Sequence, residues 1–357
     1  MVQARFLLNP RRARTPSREE ARAPLAFHEQ LPGYEPTPLI DAPQIAQMLG
    51  VRQVLLKNES SRLGLPAFKI LGASWAVRRA LAEKRPRTLV TATDGNHGRA
   101  VAHVAAMFGL RARIYVPRGT AQARIDGIAS EGADVVIVDG TYDEAVDRAA
   151  READDGCLVV SDTSWPGYEQ IPQWVAEGYS TIMAEIDDEL ARRGEAHPDV
   201  VAVQFGVGAL AVAVVRHFAA SAKIVSVEPL RAACALAAVE AREVVSVPGP
   251  HDSIMAGLNC GRVSMVAWPV ISAGIDAFIA ISDDRAREAM RALAQIGVVA
   301  GETGASGVAG LIELLAGEEC EKHRAALGIN ETSRVLAFIT EGATDPQSYR
   351  EIVSERG

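Results

Sequence analysis

From Val51 onward, short β-branched runs alternate with stretches whose apolar residues recur at helical spacing. The predicted strands are apolar along most of their length, which is typical of parallel strands buried between helices. Nine such strands are predicted, at Val54–Lys57, Thr88–Thr93, Ala112–Val116, Val135–Val138, Leu158–Ser161, Val200–Phe205, Lys223–Val227, Ala277–Ile281 and Val335–Thr340. The helices predicted between them are Arg99–Phe108, Ala121–Gly132, Asp143–Ala153, Ile171–Leu190, Ala209–Ala219, Asp283–Gln295 and Gly307–Leu315. This alternation predicts an α/β protein with one or two open, mostly parallel sheets.

The composition disfavours several classes of partner. The chain has 357 residues, 48% of them apolar and 23% charged, which is enough for one large or two medium domains with buried cores. Its 45 acidic and 37 basic residues give a formal charge of −8, which disfavours a nucleic acid or a membrane surface as a partner. Neither metal-type spacing nor a disulfide pattern links the four cysteines, Cys157, Cys234, Cys260 and Cys320.

No segment of the sequence is predicted to enter a membrane. The longest apolar stretch, from Val200 to Val215, is interrupted by glycine and glutamine and is too short to cross a bilayer. The basic run near the N-terminus consists of Arg11, Arg12, Arg14 and Arg18. Because no apolar segment follows this run, we expect a mobile arm rather than a secretory signal. We therefore expect a reduced, soluble, cytoplasmic protein.

Four unusual loops directly follow predicted strands. They are DGNHG after Thr93, DTSWPGY after Ser161, GVGAL after Phe205 and EGATD after Thr340. In open parallel sheets, ligands bind beyond the carboxyl ends of the strands. We therefore expect the four loops to form one site. Thr141 and Glu144 have the spacing of a capping box, which predicts the start of a helix.

The segment from Lys57 to Gly72 places Lys69 between Phe68 and the apolar start of a predicted helix. Desolvation lowers the pKa of a lysine and exposes a neutral amine that can form a Schiff base. A solvated lysine in the first turn of a helix is the ordinary alternative, and this segment alone does not decide between them.

The loop TATDGNHG has the features of an anion site. Gly95 and Gly98 let the backbone approach a ligand, while Thr93, Asn96 and the first helical N–H groups offer donors. A plain turn formed by the same residues is the alternative. We expect His97 to pack or hydrogen-bond at the start of the helix rather than to bind a metal.

The segment GVGALA (206–211) lies between an apolar strand and a helix, the arrangement that holds a phosphate at a helix N-terminus. The same residues match the dinucleotide fingerprint GxGxxA, and Glu228 follows where a ribose-binding acid would lie. A nicotinamide enzyme is therefore an open alternative, but it leaves the Lys69 segment and the DGNHG loop unexplained.

The remaining loops are less specific. Asp162 ends a predicted strand and, if it is partly desolvated, can accept a proton; an aspartate that closes a turn is the alternative. Thr340 offers a hydroxyl after the last strand. The glycine-rich segments SIMAGLNCG (253–261) and GETGASG (301–307) either line a site or turn the chain.

Eight collinear pieces resemble the fold-type II family of pyridoxal-phosphate enzymes, which includes threonine dehydratase, cysteine synthase and the tryptophan synthase β subunit. Within this family the chain is most similar to the diaminopropionate ammonia-lyases. The likeness extends from about Phe27 to Val353 and rests on FHEQLPGYEPTPL, KNESSRLGLPAFK, TATDGNHGRAVA, DTSWPGYEQIP, QFGVGALA, SIMAGLNCG, GETGAS and ITEGATDPQSYREIV. It implies a homodimer whose subunit has a large cofactor-binding domain (1–85 and 187–357) and a small domain (86–186).

The resemblance also implies roles for individual residues. Lys69 would hold pyridoxal 5′-phosphate as a Schiff base, Asn96 would meet the 3′ oxygen of its ring, and Thr340 would face the pyridine nitrogen. The phosphate would bind the backbone of Gly206, Val207, Gly208, Ala209 and Leu210.

The substrate would be a small amino acid, with its carboxylate held by Thr93 and Gly95. Asp94 and Asp162 would be bases on opposite faces of the substrate. Asp94 would take the Cα proton of the D isomer, and Asp162, with or without Lys69, would take that of the L isomer.

The implied reaction is α,β-elimination of ammonia from D- or L-2,3-diaminopropionate, which gives pyruvate and a second ammonia. The alternative within the family is a serine/threonine dehydratase-like or β-replacement enzyme acting on another β-substituted amino acid. A nicotinamide oxidoreductase and a non-catalytic cofactor-binding protein are the rivals outside it. Asn58, Thr303 and Ala343 depart from the family pattern, where aspartate, serine and an acid are common, and they bear on substrate preference.

Overall fold

The computed structural model describes residues 4–13, 22–93, 95–154 and 156–355. Asp94 and two residues of the basic run, Arg14 and Arg18, lie outside the described residues. The described chain forms two sheets that are mostly parallel and that carry helices. The predicted α/β architecture with two open sheets is therefore confirmed.

Eleven strands are present in the described residues. In chain order they are β1 (Arg5–Leu8), β2 (Leu39–Asp41), β3 (Gln53–Asn58), β4 (Thr88–Ala92), β5 (Arg111–Pro117), β6 (Asp134–Val138), β7 (Cys157–Val159), β8 (Val200–Gln204), β9 (Lys223–Pro229), β10 (Ala277–Ile281) and β11 (Arg334–Ile339).

The larger sheet has seven strands in the spatial order β1-β10-β9-β8-β11-β3-β2. The edge strands β1 and β2 run antiparallel to their neighbours, and every other pair is parallel. Strands β8 and β10 are buried at every position, which explains why their sequences are apolar rather than alternating.

The smaller sheet has four parallel strands in the order β6-β5-β4-β7. Its inner strand β4 is fully buried, whereas the edge strand β6 is partly exposed. All four strands lie between Thr88 and Val159. The predicted limits of the small domain at residues 86 and 186 stay a prediction.

Fifteen α-helices connect the strands or flank the sheets in the described residues. They are α1 (Ala23–His28), α2 (Pro43–Leu49), α3 (Lys69–Ala80), α4 (Asn96–Met107), α5 (Gln122–Ala129), α6 (Tyr142–Ala150), α7 (Gln170–Gly178), α8 (Ser180–Arg193), α9 (Ala209–Phe218), α10 (Cys234–Ala241), α11 (Trp268–Gly274), α12 (Asp283–Gln295), α13 (Ser306–Ala316), α14 (Cys320–Leu327) and α15 (Pro346–Ser354).

The nine predicted strands are all present, with ends that differ by no more than two residues. The capping box at the start of α6 is also present, with Thr141 Oγ1 accepting from the Glu144 N–H at 3.3 Å. The prediction of one helix over 171–190 is wrong, because α7 ends at Gly178 and α8 begins two residues later.

Helix α7 packs closely on α3, the helix that begins at Lys69. A Cβ added at Gly178 would lie 2.5 Å from the Leu71 carbonyl oxygen, and one added at Gly72 would lie 2.6 Å from the Tyr179 ring. Only glycine allows this approach. These two glycines therefore let α3, near its start, pack against α7, the helix that follows the Asp162 loop.

Within the described part of the chain, no helix combines the length and the apolar character needed to cross a membrane.

Candidate active site

A cavity of about 810 Å³, partly open to solvent, lies at the carboxyl ends of β4, β7, β8 and β11. Residues from all four of the unusual loops line it. The predicted site residues found in its lining are Lys69, Thr93, Asn96, Asp162, Gly206, Val207, Gly208, Ala209, Leu210 and Thr340. Gly95 does not line the cavity but donates its N–H to Thr93 Oγ1 at 2.9 Å, and Asp94 lies outside the described residues.

Lys69 and Asp162 form an ion pair in the lining of this cavity. Lys69 Nζ lies 2.7 Å from Asp162 Oδ2. The Asp162 side chain is 8% exposed, whereas that of Lys69 is 22% exposed and borders the cavity. An amine and a carboxylate therefore lie side by side at the cavity.

The sequence left the charge on Lys69 open. Burial by itself lowers the pKa of this amine, but the Asp162 carboxylate, with smaller contributions from Tyr179 and Cys260, raises it above the usual lysine value. The Lys69 amine is therefore protonated in the cofactor-free chain, and its charge is set by Asp162 rather than by its apolar neighbours. Burial likewise opposes ionisation of Asp162, but Lys69 and His97 lower the pKa of its carboxyl to about 2.

His97 lies beside this pair at the start of α4. Its Nε2 donates to the Val160 carbonyl at 2.8 Å, and its Nδ1 lies 3.9 Å from Asp162 Oδ2. Burial lowers the pKa of the ring, so it is neutral at physiological pH with Nδ1 unprotonated. The expected hydrogen-bonding role at the helix start is present, and the described residues contain no cluster of three or more acidic, histidine or cysteine side chains that would hold a metal.

The glycine loop 206–210 passes from β8 into α9 with its backbone against the cavity. Gly208 has φ +105°, which favours glycine, and a Cβ there would lie 2.8 Å from the Phe205 ring. A Cβ at Gly206 would lie 3.1 Å from the Gly257 carbonyl oxygen. The loop leaves room for an anionic group at the first N–H groups of a ten-residue helix.

Glu228 does not serve this loop as a ribose-binding acid. Its carboxylate is completely buried and accepts the N–H groups of Ala235 at 2.7 Å and Leu236 at 2.9 Å, at the start of α10. Burial raises the pKa of this carboxyl to about 7, although the two N–H groups oppose the shift. The acid that a nicotinamide site requires is thus committed to capping a helix, and that interpretation is wrong.

Thr340 presents a neutral hydroxyl at the end of β11. The hydroxyl donates to the Thr303 carbonyl at 3.4 Å and accepts from Gln204 Nε2 at 3.3 Å. Gln204 Nε2 also donates to the Phe338 carbonyl at 2.7 Å, which holds the amide in place. No charged partner is described for Thr340.

The sequence patterns gave no role to Glu341, which is completely buried beside Thr340. Its Oε1 accepts the Thr303 N–H at 3.2 Å, and its Oε2 accepts from Asn96 Nδ2. Glu341 thereby connects the loop after β11 to the start of α4, across the two sheets. A glutamate next to a threonine at a strand end was visible in the sequence, but its partner 245 residues away was not.

Other lining residues come from loops whose role the sequence left open. Gly257, Leu258 and Cys260 of the segment SIMAGLNCG border the cavity. Arg124 of α5 and Tyr142 of α6 also border it. Arg124 and Tyr142 also line an outer groove of about 1780 Å³, so they lie where the cavity opens outward.

A buried ion network lies behind the segment that leads to Lys69. Glu185 of α8 contacts Lys57 Nζ at 2.6 Å and Arg62 Nη1 at 2.6 Å, and Arg62 Nη2 contacts Glu59 at 2.6 Å. Thr37 adds a hydroxyl that donates to Glu59 at 2.5 Å. Two positive and two negative charges therefore compensate each other in the interior, and they fasten the 57–62 segment to α8.

Comparison with known proteins agrees with this geometry. The family model described as pyridoxal-phosphate dependent enzyme matches residues 30–340. The diaminopropionate ammonia-lyase of Salmonella typhimurium (strain LT2) is 36% identical, and the alignment covers 92% of this chain and 90% of that protein.

Two solved structures superpose on nearly the whole chain. The diaminopropionate ammonia lyase from Escherichia coli in complex with D-serine has a TM-score of 0.92 at 32% identity, covering 99% of this chain and 97% of that one. The same enzyme in complex with an aminoacrylate–PLP azomethine reaction intermediate has a TM-score of 0.92 at 33% identity, with the same coverage.

Proposed function

The chain belongs to the pyridoxal-phosphate dependent enzyme family, and from that membership we propose that it is a lyase that eliminates ammonia from 2,3-diaminopropionate to give pyruvate and ammonia. The observation that carries the proposal is the Lys69–Asp162 pair in one cavity with the glycine loop and Thr340. The similarity to a diaminopropionate ammonia-lyase over 92% of the chain supports the same conclusion.

The residues present fit pyridoxal phosphate. A loop that requires glycine at two positions precedes helix α9 and offers N–H groups to a phosphate. Lys69 faces the same cavity with its amine, and Thr340 offers a hydroxyl, which suits a pyridine nitrogen that carries no full positive charge. When it is bound, pyridoxal phosphate supplies an electron sink for the pair left when Cα loses its proton.

We propose that Asp162 takes the Cα proton of the L isomer. Its carboxylate is ionised, lies in the cavity and is paired with Lys69 Nζ at 2.7 Å. A proton taken by Asp162 Oδ2 therefore passes to or from the Lys69 amine without crossing solvent. Asp94 is proposed as the base for the D isomer, and Thr93 with Gly95 as the residues that hold the substrate carboxylate.

We further propose that the enzyme is a cytoplasmic homodimer with a small domain over 86–186. Size-exclusion chromatography with light scattering tests the dimer. A serine/threonine dehydratase-like or β-replacement reaction is the alternative within the same family, and it differs in the leaving group rather than in the cofactor.

The colour of the purified protein tests the cofactor assignment. We expect a visible absorption band that disappears on borohydride treatment and is absent from Lys69→Ala. Lys322→Ala is the matched control, since this lysine is 68% exposed on α14 and should leave the band unchanged. A colourless wild-type protein that gains no band when pyridoxal phosphate is added would contradict the proposal.

Rates of pyruvate release test the substrate. We expect D- and L-2,3-diaminopropionate to react faster than serine or threonine at equal concentration. A faster release from serine or threonine would favour the dehydratase alternative.

A further inference from the structure

Glu341 has a fixed place among three segments that build the cavity. Glu341 forms an isolated β-bridge with Ala67, two positions before Lys69. The N–H of the next residue, Gly342, donates to the Pro66 carbonyl at 2.9 Å. The backbone oxygen of Glu341 accepts the Gly301 N–H at 3.2 Å. These contacts hold the Glu341 backbone against both the Lys69 segment and the 301–304 loop.

The carboxylate of Glu341 also has little freedom. A Cβ added at Gly301 would lie 3.1 Å from Oε1, so the glycine backbone packs directly on this oxygen. The Thr303 N–H donates to the same oxygen at 3.2 Å. The other oxygen, Oε2, is thereby aimed at Asn96, the first residue of α4.

The contact determines which end of the Asn96 amide faces Glu341. A carboxylate has no proton to donate, so its partner must be the NH2 group of the amide rather than its carbonyl oxygen. One N–H of that group points to Glu341, and the second remains for a ligand in the cavity that Asn96 lines. An asparagine without such a partner can turn its amide over and present the carbonyl instead.

We propose that Glu341 is a positioning residue that holds the Asn96 amide as a hydrogen-bond donor toward the ring oxygen of bound pyridoxal phosphate. Glu341 borders the cavity but acts through Asn96, because its two carboxylate oxygens are engaged by the Thr303 N–H and by the Asn96 amide. The inference rests on the proposed function, since a ring faces Asn96 only if this cofactor binds.

The variant Glu341→Gln tests the role with little change in shape. A glutamine offers one acceptor where the carboxylate offers two, so its NH2 group must face either the Thr303 N–H or the Asn96 NH2 group. We expect pyridoxal phosphate to bind the cofactor-free protein on the order of tenfold more weakly, because a hydrogen bond to a charged group is lost. We also expect the absorption band of the bound cofactor to shift in the same direction as in Asn96→Ala.

The double variant separates positioning from a general structural effect. In the Asn96→Ala background, Glu341→Gln should change neither the cofactor affinity nor the absorption band any further. Glu228→Gln is the matched control, since Glu228 is equally buried and accepts two N–H groups without contacting Asn96. Its effect should add to that of Asn96→Ala. Additive effects of Glu341→Gln and Asn96→Ala on cofactor affinity would overturn the proposal.

Thermal unfolding of the cofactor-free protein gives a readout that does not depend on the loaded enzyme. Asn96→Asp brings two carboxylates together at the contact and should lower the Tm more than Asn96→Ala does. If the Tm of Asn96→Asp falls no more than that of Asn96→Ala, the contact between Glu341 and residue 96 is contradicted. This test holds even if Glu341→Gln does not fold. A wild-type protein that takes up no pyridoxal phosphate would contradict the proposed function. A protein that takes up the cofactor but shows additive effects of Glu341→Gln and Asn96→Ala would contradict only the role of Glu341.

Discussion

Asp162 lies 2.7 Å from the Lys69 amine although 93 residues separate the two in sequence. One residue begins α3, the helix that follows β3 of the larger sheet in the chain, and the other follows β7 of the smaller sheet. The pair is therefore a contact between the two halves of the site. Loss of either charge leaves the other buried, with a strongly altered pKa.

The first prediction concerns the two isomers of the substrate. Asp162→Asn removes the acceptor beside Lys69, and we expect pyruvate release from L-diaminopropionate to fall by about 100-fold or more, the usual contribution of a positioned base. Release from the D isomer should fall much less, because Asp94 is its proposed base. Steady-state rates for both isomers measure the difference.

Asp94→Asn is the reciprocal variant and should reverse the preference. Equal losses for both isomers in both variants would show that the two aspartates do not act on opposite faces. The absorption of bound cofactor in each variant serves as the control for an intact site.

The second prediction concerns stability in mild acid. His28 is completely buried, with Nδ1 2.7 Å from Thr181 Oγ1 and Nε2 3.0 Å from the Leu71 carbonyl. Burial lowers the pKa of its ring from 6.5 to about 4. The unfolded chain therefore takes up a proton between these pH values that the folded chain does not. Stability contributed by the neutral ring is complete above pH 6.5 and declines as the pH falls toward 4, by about 3 kcal/mol in total.

Urea unfolding at pH 7.5 and pH 4.5 measures this loss. His28→Gln has no titrating ring, so its stability should fall by about 2 kcal/mol less than that of the wild type between the two pH values. The same decline in both proteins would assign the acid sensitivity to other groups.

The central strands were predictable because burial on both faces gives each of them a continuous run of apolar residues. Strand β8 reads as a continuous apolar run, and its neighbours β9 and β10 follow the same pattern. The edge strands β1 and β2 were missed because they are short and antiparallel, and their pairing partners lie elsewhere in the chain. The break at Gly178 was missed because it serves a packing contact with α3 rather than a local turn.

The features of the site likewise fall into those that local sequence predicts and those that depend on residues distant in the chain. The glycine loop and the strand-end positions of Asp162 and Thr340 are local features, and the sequence placed them correctly around one cavity. The charge state of Lys69 and the role of Glu341 depend on partners 93 and 245 residues away. Local patterns carry no signal for such pairs, so the charge of Lys69 stayed open in the sequence and Glu341 had no predicted role.

The third prediction concerns the buried ion network. Arg62→Ala leaves Glu59 and Glu185 without the guanidinium that bridges them, while Lys57 remains paired with Glu185. Breaking a buried pair from one side costs about 3–5 kcal/mol, and we expect that loss in the free energy of unfolding. Arg5→Ala is the control, since Arg5 pairs with Glu240 where both side chains are about half exposed, and it should cost less than about 1 kcal/mol. Similar losses for the two variants would mean that the network does not behave as a buried unit.

The fourth prediction concerns the packing of α7 on α3 and its effect on the Lys69 amine. Gly178→Ala places a Cβ 2.5 Å from the Leu71 carbonyl oxygen and 2.9 Å from the Gly72 Cα, so α7 and α3 must separate. Overpacking of this kind costs about 1–3 kcal/mol, and because α3 begins at Lys69 we also expect weaker cofactor binding. Gly127→Ala in α5 is the control, since its Cβ would meet only the flexible end of Arg99 at 3.4 Å, and alanine should stabilise that helix by up to about 1 kcal/mol. Thermal unfolding and cofactor titration of both variants measure the two effects. A Gly178→Ala protein that unfolds and binds cofactor like the wild type would show that the helices separate without disturbing Lys69.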